Sequence, residues 1–188
     1  MRLVRSNWAV VLAFVLTFTS AVSGADRPNI LFFLSDDQRH DQMGAAGHPI
    51  LETPTMDRLA AEGVRFTNAF VTTSICAASR ATILTGLYER SHRFTFGRPP
   101  LTRELTDRSY AAVLRDAGYR TGFVGKIGVQ FEPGAVEEMF DYYETLDRDP
   151  YFREQPDGTT RHISQIAGDK AIEFLRSVDG DTPFSLSI

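Results

Sequence analysis

Three short stretches carry side chains able to act together on an anion. The first is TTSICAASRATILTGLYE, residues 72–89, which holds the only cysteine of the chain, Cys76, with Arg80 four residues on. Residues four apart share a helix face. Thr72, Thr73 and Ser74 are candidate caps for a helix beginning near Cys76. Residue 76 would then stand at a helix N-terminus, where free N–H groups and the dipole favour negative charge. Arg80 adds a planar donor fork that suits sulfate or phosphate oxygens. The plainer alternative is a structural cysteine, a common fate of this residue.

The second stretch is SDDQ. Asp36 and Asp37 follow the apolar run Ile30–Leu34 after a single serine, Ser35. Two adjacent carboxylates repel, and partial burial requires something to neutralise them. A hard divalent cation such as Ca²⁺ or Mg²⁺ does this with oxygen ligands; a solvated loop does without one. The third is GFVGKIG, which sets Lys126 after an apolar run, either to hold an anionic group or to face water. The four histidines, His40, His48, His92 and His162, show no metal-binding spacing and are assigned no role.

These groups need strand and helix ends to hold them. Ile30–Leu34 has the continuous apolar character of a parallel strand buried on both faces. Asp36 and Asp37 then lie at its carboxyl end, the edge where open α/β sheets bind ligands. TPTMDRLAAEG predicts a helix with Thr53 or Thr55 as cap, Pro54 in its first turn, and Met56, Leu59 and Ala60 as its apolar face. Val64–Phe70 is strand-like. Thr106 or Asp107 is the expected cap of a second helix, with Tyr110, Val113 and Leu114 inward and Gly118 as its stop. A short strand then runs to Lys126. Residues 128–161 are aromatic, acidic and broken by Pro and Gly, and are expected to be irregular. An amphipathic helix follows from about His162, then a turn at 179–181 and a buried strand at 184–188. Alternating strands and helices predict an α/β fold with a mostly parallel central sheet flanked by helices. The chain stops within a predicted strand, so residues 26–188 are expected to form an incomplete domain.

Residues 1–25 have the order of a secretory signal peptide. Arg2 and Arg5 come first, then an apolar run from Trp8 to about Phe18, then small residues with Ser23 and Ala25 suiting a cleavage site. The run is shorter than the roughly 20 residues a spanning helix needs, so export to the periplasm or outside the cell is expected, with no stable membrane insertion. An uncleaved anchor is the alternative. Cleavage after Ala25 takes the net charge from −4 to −6, because two arginines leave and no acidic residue does. That balance argues against nucleic acid as a partner. A single cysteine allows no internal disulfide, and in an exported protein it points to an intermolecular bridge, a reactive thiol or a modified residue.

RPNILFFLSDDQ, TPTMDRLAAEGVRFTNAF, CAASRATILTGLY and GYRTGFVGK resemble, in order and spacing, the type I sulfatases of the alkaline-phosphatase-like superfamily. The resemblance runs from about Arg27 to the end. Its specific part is Cys76-x-Ala78-x-Arg80, with Ala78 where Pro is commoner. It implies that Cys76 is converted to Cα-formylglycine by a maturation system. One oxygen of the hydrated aldehyde would attack sulfur and expel the alcohol; the other hydroxyl would then lose its proton, the carbonyl would reform and sulfate would leave, splitting one hard step into two. It also implies that Asp36 and Asp37 are the first pair of ligands to Ca²⁺, with Mg²⁺ as the alternative, that residue 76 also touches the metal, that Arg80 holds the formylglycine hydrate, and that Lys126 contacts the sulfate. The substrate would be a sulfated glycan or other small organic sulfate. Where many relatives read Lys-x-His, this chain has Gly128, which leaves the base for sulfate release unassigned. With the later ligands of the family absent, these 188 residues are expected to be inactive alone. The rival readings are a phosphodiester or phosphonate monoester hydrolase of the same superfamily, and a non-catalytic anion-binding relic.

Overall fold

The computed structural model describes residues 27–96 and 99–188; the proposed signal peptide lies outside them. In chain order the elements are β1 (Ile30–Phe32), a 3₁₀ turn (Gly44–Ala46), α1 (Pro54–Glu62), α2 (Cys76–Thr85), α3 (Glu89–His92), α4 (Arg103–Thr106), α5 (Tyr110–Asp116), β2 (Arg120–Gly125), α6 (Ala135–Met139), β3 (Tyr142–Thr145), β4 (Phe152–Glu154), β5 (Thr160–His162), α7 (Ile163–Arg176) and β6 (Phe184–Ser187). Four strands form one parallel sheet in the order β1-β6-β2-β3. The expected α/β class and parallel sheet are therefore present.

Alternation along β2 divides the core. Successive residues of a strand point to opposite faces. Phe123 packs on one face with Ala77, Ala81, Leu84, Ala111, Met139 and Phe140. Val124 packs on the other with Leu186, Ala171 and Phe174. Gly122 permits the close approach of α7, because a Cβ there would lie 2.8 Å from the Phe174 ring.

Several local expectations are corrected. β1 is an edge strand with one covered face: Leu31 is 47% and Phe33 64% exposed. Val64–Phe70 forms no strand; it finds no partner among the described residues, and Phe70 is 88% exposed. The apolar face of α1 is likewise uncovered at Met56 and Leu59. Residues 128–161 are not an irregular excursion. They supply α6, β3 in the main sheet and the β4–β5 hairpin. The cap of α5 is Ser109, whose hydroxyl accepts the Ala112 N–H, while Thr106 closes the preceding turn α4. Val113, expected inward, faces water, and Ala111 and Ala112 fill that interior instead.

Candidate active site

The parallel sheet brings two strand ends together across β6. β1 leads to Asp36, β2 leads to Lys126, and β6 lies between them. The pairing extends past β1, with the Leu34 N–H donating to the Ile188 carbonyl at 2.9 Å. Asp37 follows in the left-handed region at φ 56°, which Asp tolerates better than most residues.

Helix α2 delivers Cys76 and Arg80. Cys76 is its first residue and is exposed. The cap position is Ile75, with no side-chain cap bond; the expected cap Thr73 instead gives its hydroxyl to Glu89 Oε2 at 3.0 Å. One turn on, the Arg80 side chain is 11% exposed. Its Nη1 donates to the Lys126 carbonyl at 2.5 Å and its Nη2 to Asp36 Oδ1 at 3.2 Å. Lys126 Nζ donates to Asp36 Oδ2 at 2.6 Å. Burial raises the Asp36 carboxyl, but the hydrogen bonds and charges of Lys126 and Arg80 outweigh it and hold the group below the ordinary carboxylate range.

Of the residues singled out in the sequence, Asp36, Arg80 and Lys126 thus form one ionic cluster. Cys76 and Lys126 line one cleft of about 640 Å³, which does not include Asp36 or Arg80. Tyr143 and Thr145 of β3 and Asp147, Arg148 and Asp149 after it form a further wall of that cleft. Sequence reasoning missed this wall because the strand that positions it was itself missed. The run DYYETL carried the signal, an aromatic stretch bounded by acidic residues. Burial pushes the Tyr143 phenol up to about 12.

Three of the four histidines bond to nearby backbone or side-chain groups. His162 caps α7 by accepting the Ser164 N–H. His48 Nδ1 accepts from the Leu51 N–H at 2.8 Å. His92 is buried between Thr82 Oγ1 and the Phe94 N–H, both at 3.0 Å.

The donor set was tested against a divalent cation. Among the described residues no group of three or more His, Cys, Asp or Glu side chains converges. Asp37 has no hydrogen bond or ion pair among them, and both oxygens of Asp36 already accept from cationic side chains. A hard cation takes six or more oxygen ligands for Ca²⁺, so these residues do not by themselves fit one. A modified residue 76 does fit, because Cys76 is exposed and opens onto the cleft.

The parallel α/β sheet superposes on solved structures of the alkaline-phosphatase-like fold, which is the fold of this chain. Within that class the chain belongs to the sulfatase family, whose model, described as Sulfatase, matches residues 28–188. An N-acetylglucosamine-6-O-sulfatase of Bacteroides thetaiotaomicron is 34% identical over 175 residues, covering 85% of this chain and 29% of that protein. Arylsulfatase A of Bos taurus is 38% identical over 154 residues, covering 79% of this chain and 29% of that protein. A solved structure described as a complex with its substrate D-glucosamine-2-N,6-O-disulfate superposes with a TM-score of 0.72 at 31% identity, covering 86% of this chain and 33% of that one. The chain therefore spans about a third or less of the length of these relatives. Among the described residues no helix is long and apolar enough to cross a membrane.

Proposed function

We propose that this chain carries the nucleophile and one part of the sulfate-binding site of an exported sulfuric ester hydrolase acting on a sulfated carbohydrate or other organic sulfate. Residues 1–25 are its signal peptide and residues 26–188 the N-terminal part of its catalytic domain. The observation that supports this most directly is the joint hold of Arg80 and Lys126 on Asp36, beside a cleft onto which Cys76 opens.

In this reading residue 76 is Cα-formylglycine, made by a maturation system. As its hydrate it supplies one oxygen to attack sulfur and a second hydroxyl whose deprotonation lets sulfate go. The chain's own residues prepare that chemistry. Arg80 is fixed by the Lys126 carbonyl, so its charge sits one helical turn behind residue 76 without needing to reorganise. The Lys126 ammonium faces the same cleft and can bond a sulfate oxygen as the ester enters. The leaving alcohol lies toward Thr145, Asp147, Arg148 and Asp149, whose donors and acceptors suit hydroxyl groups. Asp36 keeps Lys126 and Arg80 together until the anion arrives. Asp36 and Asp37 are proposed as two ligands of a Ca²⁺ or Mg²⁺ site that these residues do not complete.

The test is mass spectrometry of the peptide covering residues 66–80 from protein made in its own host. A mass about 18 Da below the cysteine form is expected for the thiol-to-aldehyde change, and the hydrate, which regains that mass and nearly matches the thiol, is told from it by its failure to take up iodoacetamide. An unmodified thiol in a host that matures its other sulfatases would refute the catalytic reading.

A further inference from the structure

The Lys126 turn is closed by Gly128, which has φ 61°. A Cβ placed on Gly128 would lie 3.1 Å from Arg80 Cδ, 3.7 Å from Arg80 Nε and 3.9 Å from Lys126 Cε. Carbon atoms pack at about 3.5–4.0 Å, so the nearest contact is too short by several tenths of an ångström. Arg80 has no slack to give. One side of its guanidinium is bonded to the Lys126 carbonyl at 2.5 Å and the other to Asp36. The left-handed backbone is a separate constraint, which Asn meets better than Ala.

We infer that Gly128 is a positioning residue: its absent side chain leaves room for the Arg80 stem, and a Cβ there presses on Arg80 Cδ and displaces it by a few tenths of an ångström, disturbing its bonds to Lys126 and Asp36. A histidine at 128 meets the same contact, and on the function proposed above it is expected to lower activity through Arg80.

Two constraints predict two different patterns, and the choice of variants separates them. Gly128→Ala suffers both the backbone and the contact effect. Gly128→Asn tolerates the backbone but keeps the Cβ. Gly158→Ala, at φ 80° with nothing within 4 Å of its Cβ, reports the backbone effect alone. The readout is the Arg80 guanidinium in ¹⁵N-labelled chain, assigned through its loss in Arg80→Lys. The wild-type chain and Gly158→Ala are expected to show a resolved Nε–H and slowly rotating Nη–H signals for Arg80. Gly128→Ala and Gly128→Asn are both expected to lose them while the rest of the spectrum stays folded. Retention of those signals in Gly128→Asn, or their loss in Gly158→Ala, overturns the inference. In the protein from the complete reading frame, displacement of this size should lower kcat for an aryl sulfate roughly ten-fold, with Gly158→Ala unchanged. Absence of turnover in the wild type would count against the proposed function alone, since the Arg80 signals decide the inference without it.

Discussion

Replacing Arg80 by lysine keeps the positive charge and removes the fork, so it separates the two things Arg80 does. The guanidinium spans two acceptors on different chain segments, the Lys126 carbonyl at 2.5 Å and Asp36 Oδ1 at 3.2 Å. A lysine has one terminal nitrogen and can serve only one of them. A hydrogen bond involving a charged group contributes roughly 1.5–3 kcal/mol. The low end applies here, because Asp36 is about one-third exposed and its share is screened. Arg80→Lys should therefore cost about 1.5 kcal/mol. Arg80→Ala should cost about 3 kcal/mol, since it forfeits both bonds and the packing of the alkyl stem. For a chain of this size each kcal/mol moves the thermal midpoint by roughly 2–4 °C. The midpoints by circular dichroism should fall by about 3–6 °C for lysine and about 6–12 °C for alanine. In 1 M salt the part of the loss due to Asp36 should shrink, and the part due to the Lys126 carbonyl should remain. The reasoning fails if lysine is indistinguishable from arginine, because charge alone would then suffice. It also fails if lysine costs as much as alanine.

Gly122→Ala drives a methyl to within 2.8 Å of the Phe174 ring and 3.0 Å of Leu186, and should destabilise the chain by about 1–3 kcal/mol in urea denaturation; a neutral result would mean α7 can shift off the sheet. Burial lowers the pKa of His92, and the charge of Glu89 only partly opposes this. The folded state therefore binds its proton less readily than the unfolded state. Stability from His92 is complete above the unfolded value of about 6.5 and is lost as pH falls below it toward the folded value. Wild type should lose up to about 1.4 kcal/mol more per pH unit than His92→Asn in that window, and parallel curves for the two would sink the assignment. The 188-residue chain alone should turn over no aryl sulfate, whereas the protein from the complete reading frame should prefer aryl sulfate to an aryl phosphodiester; the opposite preference would favour the phosphoester rival.

What was legible in the sequence was local and chemical. Asp36 and Lys126 follow apolar runs and could be placed at strand ends, while Arg80 could be placed one helical turn after Cys76. The helix from Ile163 and the strand at Phe184 followed from periodicity and a turn between them. Partners were not legible. Ile30–Leu34 has the composition of a strand covered on both sides, yet β1 is an edge, because burial depends on neighbours that a five-residue pattern does not name. Val64–Phe70 failed for the same reason: strand propensity without a partner strand yields extended chain. β3 escaped because its tyrosines and acidic residues do not alternate cleanly, and only its pairing with β2 makes it a strand. The cleft wall at 145–149 was lost with it.

The place of β6 has a consequence for how the protein is made. The last strand of the chain is the one that separates β1 from β2, so these two have no common edge until it enters. During synthesis Asp36, Arg80 and Lys126 all exist well before the sheet that fixes their spacing. About 60 residues separate Lys126 from Ser187, which at ordinary elongation rates is roughly 3–12 s. For that interval the segment containing Cys76 is complete but its ionic cluster lacks the strand that sets it, and an enzyme that acts on an extended peptide would find residue 76 still within reach. The modification proposed at residue 76 therefore has an interval in which to act before the sheet closes.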